Sequence, residues 1–223
     1  MEFIKSLIDL FLHLDDHLAA IIQQYGTLTY LILFAIIFLE TGVVVTPFLP
    51  GDSLLFAAGT FAAVPGSPLN PWVMFISLSI AAIIGDTVNY WIGSKLGDRA
   101  ARGEIKFIKK EHIERTHEFF EKHGGKTIFL ARFVPIVRTF APFVAGASRM
   151  SYNYFLSYNI FGGIVWVGIF VFAGYFFGNI PFVKQNFELV IVAILVVSVV
   201  PMIYEWLKAR QENSKKKAIA GEN

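Results

Sequence analysis

Long stretches without charge dominate the pattern of hydrophobic and polar positions along the chain. Residues 18–39, 53–85, 150–183 and 189–204 contain no Asp, Glu, Lys or Arg. A helix needs about 20 apolar residues to cross a hydrocarbon core about 30 Å thick. The pattern therefore predicts plain membrane-spanning helices over residues 72–94, 154–178 and 187–207.

The first 26 residues follow a different pattern. Apolar positions recur there with helical spacing, and most polar positions lie on the opposite face. Residues 1–26 also lack the basic start and small-residue cleavage site of a signal peptide. We expect an amphipathic helix in the membrane interface that ends at Tyr25-Gly26. The alternative is an ordinary helix packed against the rest of the protein.

Two further apolar segments, 27–63 and 127–148, are interrupted by charges, prolines and glycines. The interrupting residues are Pro47, Pro50, Gly51, Pro135, Pro142 and Gly146. Proline removes a backbone hydrogen bond, and irregular backbone at membrane depth persists only where protein shields it or where it lines a cavity. We predict that each segment is a re-entrant helical hairpin, and that the arms of the second have about 11 residues each.

The positions of the basic residues support this topology. Hydrophobic residues make up 55% of the 223 residues and charged residues only 16%, too few charges to cover a soluble surface. Nine of the 19 Lys and Arg residues lie in residues 93–126, and five follow Leu207. Basic loops stay in the cytoplasm, so an even number of crossings separates these regions. We expect an amphipathic cytoplasmic loop over 95–126 and a basic cytoplasmic tail over 208–223.

The order of the segments then repeats. An amphipathic helix, a broken hairpin and a span occur twice, in opposite orientation, as in many transporters. The predicted fold class is an all-α polytopic membrane protein, one membrane domain over residues 1–223. It consists of an inverted repeat of amphipathic helix, re-entrant hairpin and transmembrane helix, plus one C-terminal transmembrane helix.

Four charged residues lie inside the predicted hairpins: Glu40 and Asp52 in the first, Arg132 and Arg138 in the second. Ionisable groups within a membrane are costly and mark transport or proton-relay sites by default. Arginine can hold a phosphate with two parallel hydrogen bonds. Our hypothesis is that Arg132 and Arg138 bind phosphate, while a proton on Glu40 or Asp52 frees them to do so. The alternative role is a pair of salt bridges between the hairpins.

Other polar residues suggest less. Asp86, Asn89, Tyr90 and Arg149 are candidate accessory residues, and Asp86 could equally cap or snorkel at a helix end. The chain has no Cys and no P-loop, GxSxG, HExxH or Rossmann fingerprint. We therefore expect no cofactor, no metal site, no nucleic-acid partner and no enzymatic activity.

Three motifs resemble the DedA family of bacterial inner-membrane proteins, and the resemblance covers nearly the whole chain. They are Glu40-Thr41-Gly42 with Pro47-Phe48-Leu49-Pro50-Gly51-Asp52-Ser53; Gly85-Asp86-Thr87-Val88-Asn89-Tyr90-Trp91-Ile92-Gly93 with Gly97; and Ala131-Arg132-Phe133-Val134-Pro135-Ile136-Val137-Arg138-Thr139-Phe140-Ala141-Pro142-Phe143-Val144-Ala145-Gly146. The resemblance implies two opposed re-entrant hairpins and functional residues at Glu40, Asp52, Arg132 and Arg138. It also implies proton-motive-force-dependent transport and a role in envelope integrity.

Some members of that family recycle undecaprenyl phosphate, the lipid carrier of cell-wall synthesis. The resemblance therefore implies a multi-pass protein of the bacterial inner membrane that translocates this anionic lipid, with protons as the coupling ion. The alternatives are a proton- or sodium-coupled transporter of a small ion or solute, and a non-transport scaffold. Homo-oligomerisation stays open.

Overall fold

The computed structural model describes residues 14–43, 51–101, 124–187 and 189–194. Every regular element within these ranges is a helix, which confirms the all-α class. The α-helices are α1 (Leu14–Tyr25), α2 (Thr29–Gly42), α3 (Gly51–Ala62), α4 (Pro71–Ala101), α5 (Thr127–Ala131), α6 (Pro135–Ala147), α7 (Tyr152–Phe177) and α8 (Pro181–Gln185). Short 3-10 turns at Gly26–Leu28 and Gly124–Lys126 precede α2 and α5.

Three helical runs are long and apolar enough to cross a membrane: Asp16–Gly42, Pro71–Gly97 and Tyr152–Phe177. The second and third correspond to the spans predicted at 72–94 and 154–178. Helix α4 continues to Ala101, so the segment predicted as a loop from residue 95 begins as helix. Of the span predicted at 187–207, residues 189–194 are helical, and the part after residue 194 lies outside the described residues.

The first of these runs joins α1 to α2 through the 3-10 turn. Helix α1 ends at Tyr25 as predicted, where Gly26 adopts a left-handed φ of 52°. Its apolar face packs towards α3, with Leu18 buried in the core and Ile22 against it, while Asp16 and His17 are exposed. This packing favours the packed-helix alternative for the described part of the segment.

The second broken segment differs from the prediction of two equal arms. Helix α5 has five residues and α6 has 13, and the break falls at residues 132–134. Pro135 begins α6, where proline loses no helical hydrogen bond. Gly146 also lies within the helix.

Pro142 was wrongly predicted to break the chain, because it too lies inside α6. The side chain of Asn89 donates to the carbonyl of Thr139, in the turn before Pro142. Pro142 removes the helical donor to the carbonyl of Arg138, the residue before Thr139, and the helix continues through it to Ala147. Pro47 and Pro50 lie outside the described residues, and Gly51 begins α3.

The helices pack in a reciprocal pattern. Helices α2 and α6 pack on α4, helices α3 and α5 pack on α7, and α4 packs on α7. Glycine brings backbones together in two of these pairs. A Cβ added to any of four glycines would overlap a backbone carbonyl of the opposite helix. The glycine and the residue that carries this carbonyl are Gly59 and Val171, Gly174 and Phe56, Gly93 and Phe143, and Gly146 and Tyr90.

Large apolar side chains cover the outer surface of these helices. Leu31, Trp72, Ile76, Phe161 and Phe176 are each more than half exposed. Contiguous apolar surface of this extent is unusual on a soluble monomer. It agrees with the three runs long enough to cross a membrane, and the buried polar side chains concentrate between α2, α3, α4, α6 and α7.

Candidate functional site

One buried arginine joins three helices through two carboxylates. Arg138, in the first turn of α6, donates from Nη1 to Asp52 Oδ1 and from Nη2 to Glu40 Oε1, both at 2.7 Å. Glu40 is in the last turn of α2, and Asp52 is in the first turn of α3. Asp52 also lies where the helix dipole favours a negative charge. The contact therefore ties the two predicted hairpins together by charge-assisted hydrogen bonds.

Gly51 makes this junction possible. A Cβ at position 51 would overlap the carboxylate of Glu40. The Glu40 carboxylate at the end of α2 thus lies against the backbone at the start of α3, in space that a side chain at position 51 would fill. Gly51, one of the residues that interrupt the apolar segment 27–63, contributes this spacing to the site.

A second arginine forms a separate network. Arg132, at the end of α5, donates from Nη2 to Asp86 Oδ2 at 2.5 Å and to Asn159 Oδ1 at 2.6 Å. The amide of Asn159 in turn donates to the carbonyl of Ile83 at 3.0 Å. This network connects α5 with α4 and α7.

The remaining donors of Arg132 are not satisfied. Within the part of the chain that the structure describes, Nε and Nη1 have no hydrogen-bond partner, although the side chain is only 2% exposed. Glycines on α7 make room for this side chain, since a Cβ at Gly162 would lie 3.0 Å from Nε. Buried polar groups are normally paired, so two unpaired donors on one guanidinium indicate a place for a ligand or water.

Trp166 connects the two networks. Its side chain is fully buried in α7, and its Nε1 donates to Asp52 Oδ1 at 2.8 Å. The ring centroid lies 5.2 Å from Cζ of Arg138 and 5.8 Å from Cζ of Arg132. Both distances fall within the range of cation–π attraction. The two guanidinium groups therefore share one aromatic neighbour.

The accessory candidates have distinct positions. Asn89 is fully buried, and its amide donates to the carbonyls of Thr41 and Thr139, which ties α2 and α6 to α4. The Tyr90 hydroxyl donates to the carbonyl of Met150. Arg149 is exposed and adopts a left-handed φ of 56° after α6. Asn89 is thus a structural link next to the charged cluster, whereas Arg149 lies away from it at a helix end.

The structure brings the four predicted charges together in a way that the sequence did not indicate. Glu40 and Asp52 both pair with Arg138, and Arg132 pairs with Asp86 instead. Asp86 therefore belongs to the cluster, which holds three acids and two bases. Neither Trp166 nor Asn159 was among the predicted site residues. A polar side chain within the charge-free stretch 150–183 was the available signal for Asn159.

Comparison with known proteins identifies the family. The VTT domain model matches residues 49–176. The chain is 52% identical to Protein DedA of Escherichia coli strain K12 over 95% of its own length and 97% of that protein. It is 34% identical to Inner membrane protein YqjA of the same strain over 85% and 86%. No solved structure matches. The chain therefore belongs to the DedA family of VTT-domain membrane proteins.

Proposed function

We propose that this protein is a lipid transporter that moves undecaprenyl phosphate across the bacterial inner membrane for reuse, coupled to protons. The observation that carries the proposal is the buried cluster, in which two guanidinium groups and three carboxylates lie among helices with apolar outer surfaces. Ionisable groups within a membrane are costly and by default indicate a transport or proton-relay site. The name of a relative, Inner membrane protein YqjA, supports the inner membrane as the location of this protein.

The architecture that we propose is an inverted repeat with two re-entrant hairpins. Two features of the packing support it. Each first arm, α2 or α5, packs on the span that follows it, and each second arm, α3 or α6, packs on the span of the other repeat. In the interfaces of α3 with α7 and of α6 with α4, each helix has a carbonyl that meets the opposite glycine and, three residues later, a glycine of its own. Phe56 and Gly59 form such a pair on α3, and Phe143 and Gly146 form one on α6.

The lengths of the second arms agree with hairpins. Helix α3 has 12 residues and α6 has 13, so each is about 18–20 Å long, shorter than a hydrocarbon core of about 30 Å. The run Asp16–Gly42 is long enough to cross by itself. We place the membrane boundary of the first repeat near Gly26, because the helix before it, α1, exposes the polar side chains of Asp16 and His17.

The chemistry of the cluster suits a phosphate head group. Guanidinium groups bind phosphate oxygens with paired hydrogen bonds, and the isoprenoid tail would remain in the bilayer. Arg132 and Arg138 would bind the head group, and Glu40 and Asp52 would take and release protons. A phosphate that takes one arginine leaves a buried carboxylate without its partner, which favours its protonation. Anion binding and proton uptake would thus be linked.

Reconstitution in liposomes tests the proposal. Labelled undecaprenyl phosphate is placed in one leaflet, and its movement is followed for wild type, Asp52→Asn and Arg138→Ala, with and without a proton gradient. We expect movement by wild type that depends on the gradient, loss of that dependence in Asp52→Asn and loss of movement in Arg138→Ala.

Absence of lipid movement by wild type under any gradient would refute lipid transport. The alternative, a transporter of a small ion or solute, is tested with the same liposomes on a solid support. Currents that need phosphate or sodium in the water, and no lipid, would favour that alternative.

A further inference from the structure

The two buried arginines differ in how many of their donors are already occupied. Arg138 has one carboxylate on each terminal nitrogen. Arg132 uses only Nη2, on Asp86 and Asn159, and its Nε and Nη1 have no partner among the described residues. We propose that Arg132 is the group that binds the phosphate, and that it does so by exchanging Asp86 for the phosphate, so that Asp86 takes up the coupled proton. This inference rests on the proposed function and revises its site: Arg132 without Arg138 holds the phosphate, and the coupled proton is assigned to Asp86 instead of Glu40 or Asp52.

The geometry of a guanidinium explains why an exchange is required. A phosphate is held by two neighbouring N–H groups, either from Nη1 and Nη2 or from Nε and Nη2. Both edges of Arg132 include Nη2, which is occupied. A two-point grip on Arg132 therefore displaces one of the two acceptors from Nη2, while the unpaired Nε and Nη1 supply the second donor.

The two acceptors differ in how firmly they are held. Asn159 is anchored by its own amide, which donates to the Ile83 carbonyl at 3.0 Å and to Thr87 Oγ1 at 3.4 Å. Arg132 is the one hydrogen-bond partner of Asp86 within the described residues. Asp86 is therefore the acceptor that leaves. Arg138 would lose two carboxylates in the same exchange, which makes it the less favourable phosphate ligand and the more suitable clamp between the hairpins.

The charges around Asp86 determine what happens after the exchange. Glu40 on α2 and Asp52 on α3 are already shared with Arg138 on α6, and α7 carries no charged residue. Once Arg132 holds a phosphate, the base of the described cluster that still acts on Asp86 is Arg138, which already pairs with Glu40 and Asp52, so Asp86 has no counter-charge of its own. A buried carboxylate without a counter-charge is neutralised by a proton. Binding of the phosphate and uptake of a proton are thus linked at one residue.

Binding of a short-chain analogue to the purified full-length protein in detergent tests this inference. The probes are farnesyl phosphate, farnesol and inorganic phosphate, and proton uptake is measured with an indicator dye in weakly buffered solution. Wild type should take up about one more proton per farnesyl phosphate than Asp86→Asn, because the titration of the phosphate itself is common to both proteins. Asp16→Asn, which alters an exposed carboxylate, is the matched control and should behave as wild type.

Two further variants test the role of Arg132. Arg132→Lys keeps the charge but not the two-nitrogen edge, and should bind farnesyl phosphate roughly tenfold more weakly or worse. Asn159→Asp leaves a carboxylate on Nη2 after Asp86 has been displaced and should also weaken binding roughly tenfold, because that negative charge repels the phosphate. Thermal unfolding of each variant shows whether it is folded.

The outcomes separate this inference from the proposed function. Equal proton uptake by Asp86→Asn and wild type, together with lipid movement in liposomes, would overturn the role of Asp86 and leave the transporter intact. Unchanged binding by Arg132→Lys would overturn the phosphate site. Inorganic phosphate bound as tightly as farnesyl phosphate would assign the site to free phosphate, and no binding of any probe to wild type would overturn both proposals.

Discussion

Replacing Arg138 by methionine should destabilise the protein strongly, because the change removes the common partner of two buried carboxylates. Glu40 and Asp52 each accept a hydrogen bond from Arg138 at 2.7 Å, and the side chains are at most 11% exposed. Removal of one member of a buried ion pair costs about 3–5 kcal/mol, most of it from the charge left without a partner. We therefore expect Arg138→Met to lower the free energy of unfolding by at least about 3 kcal/mol.

The penalty should largely disappear when the acids are neutralised as well. Replacement of a whole buried ion pair by well-packed hydrophobic residues of similar volume is often neutral or stabilising, and neutral Gln and Asn likewise leave no charge without a partner. The triple variant Glu40→Gln/Asp52→Asn/Arg138→Met should therefore regain most of the lost stability. Trp166 can still donate to the oxygen that replaces the Asp52 carboxylate. Unfolding of all variants is measured in mixed detergent micelles, with the exposed control Asp16→Asn.

This pair of variants separates structural pairing from transport. A stable triple variant that does not move lipid would show that the charges are needed for more than holding α2, α3 and α6 together. The reasoning would be refuted if Arg138→Met were as stable as wild type, or if the triple variant were as unstable as Arg138→Met. Either result would mean that the three side chains are not paired as the structure has them.

Three other substitutions have defined consequences. Gly51→Ala forces a Cβ into the Glu40 carboxylate, so we expect the free energy of unfolding to fall by about 1–3 kcal/mol and lipid transport to be reduced. No loss in either assay would contradict the close contact between Gly51 and Glu40. Trp166→Phe keeps an aromatic six-membered ring but removes the N–H that donates to Asp52, so we expect the free energy of unfolding to fall by about 1.5–3 kcal/mol. An unchanged unfolding curve would argue against that hydrogen bond. Arg149→Gly relieves a left-handed φ of 56° and should raise stability by roughly 0.5–1 kcal/mol in the same unfolding assay, so a lower stability would contradict the backbone argument.

The sequence predicted the features that depend on composition. The absence of charge over 53–85 and 150–183 identifies α4 and α7, because a run of apolar residues long enough to cross a membrane is a local property. The end of α1 at Tyr25-Gly26 was predicted for a similar reason, since glycine adopts a left-handed conformation that ends helices. These features require no knowledge of how the helices pack.

The pairing of the charges could not be predicted, because it depends on that packing. Arg132 and Arg138 are six residues apart, yet the break before Pro135 sends them to different partners. Asp86 joins the cluster only because α4 packs on α2, α6 and α7. Pro142 was misjudged because a proline does not always end a helix when neighbouring helices pack against it, and α6 packs on α4. Trp166 gave no signal beyond its place in an apolar helix.

The most direct test of the central claim is the rate at which labelled undecaprenyl phosphate leaves the outer leaflet of liposomes that contain the stable triple variant Glu40→Gln/Asp52→Asn/Arg138→Met. Wild type under a proton gradient sets the reference rate, and protein-free liposomes set the background. Our account predicts that the triple variant is folded and moves the lipid no faster than the background. Lipid movement by the triple variant at the wild-type rate would contradict it.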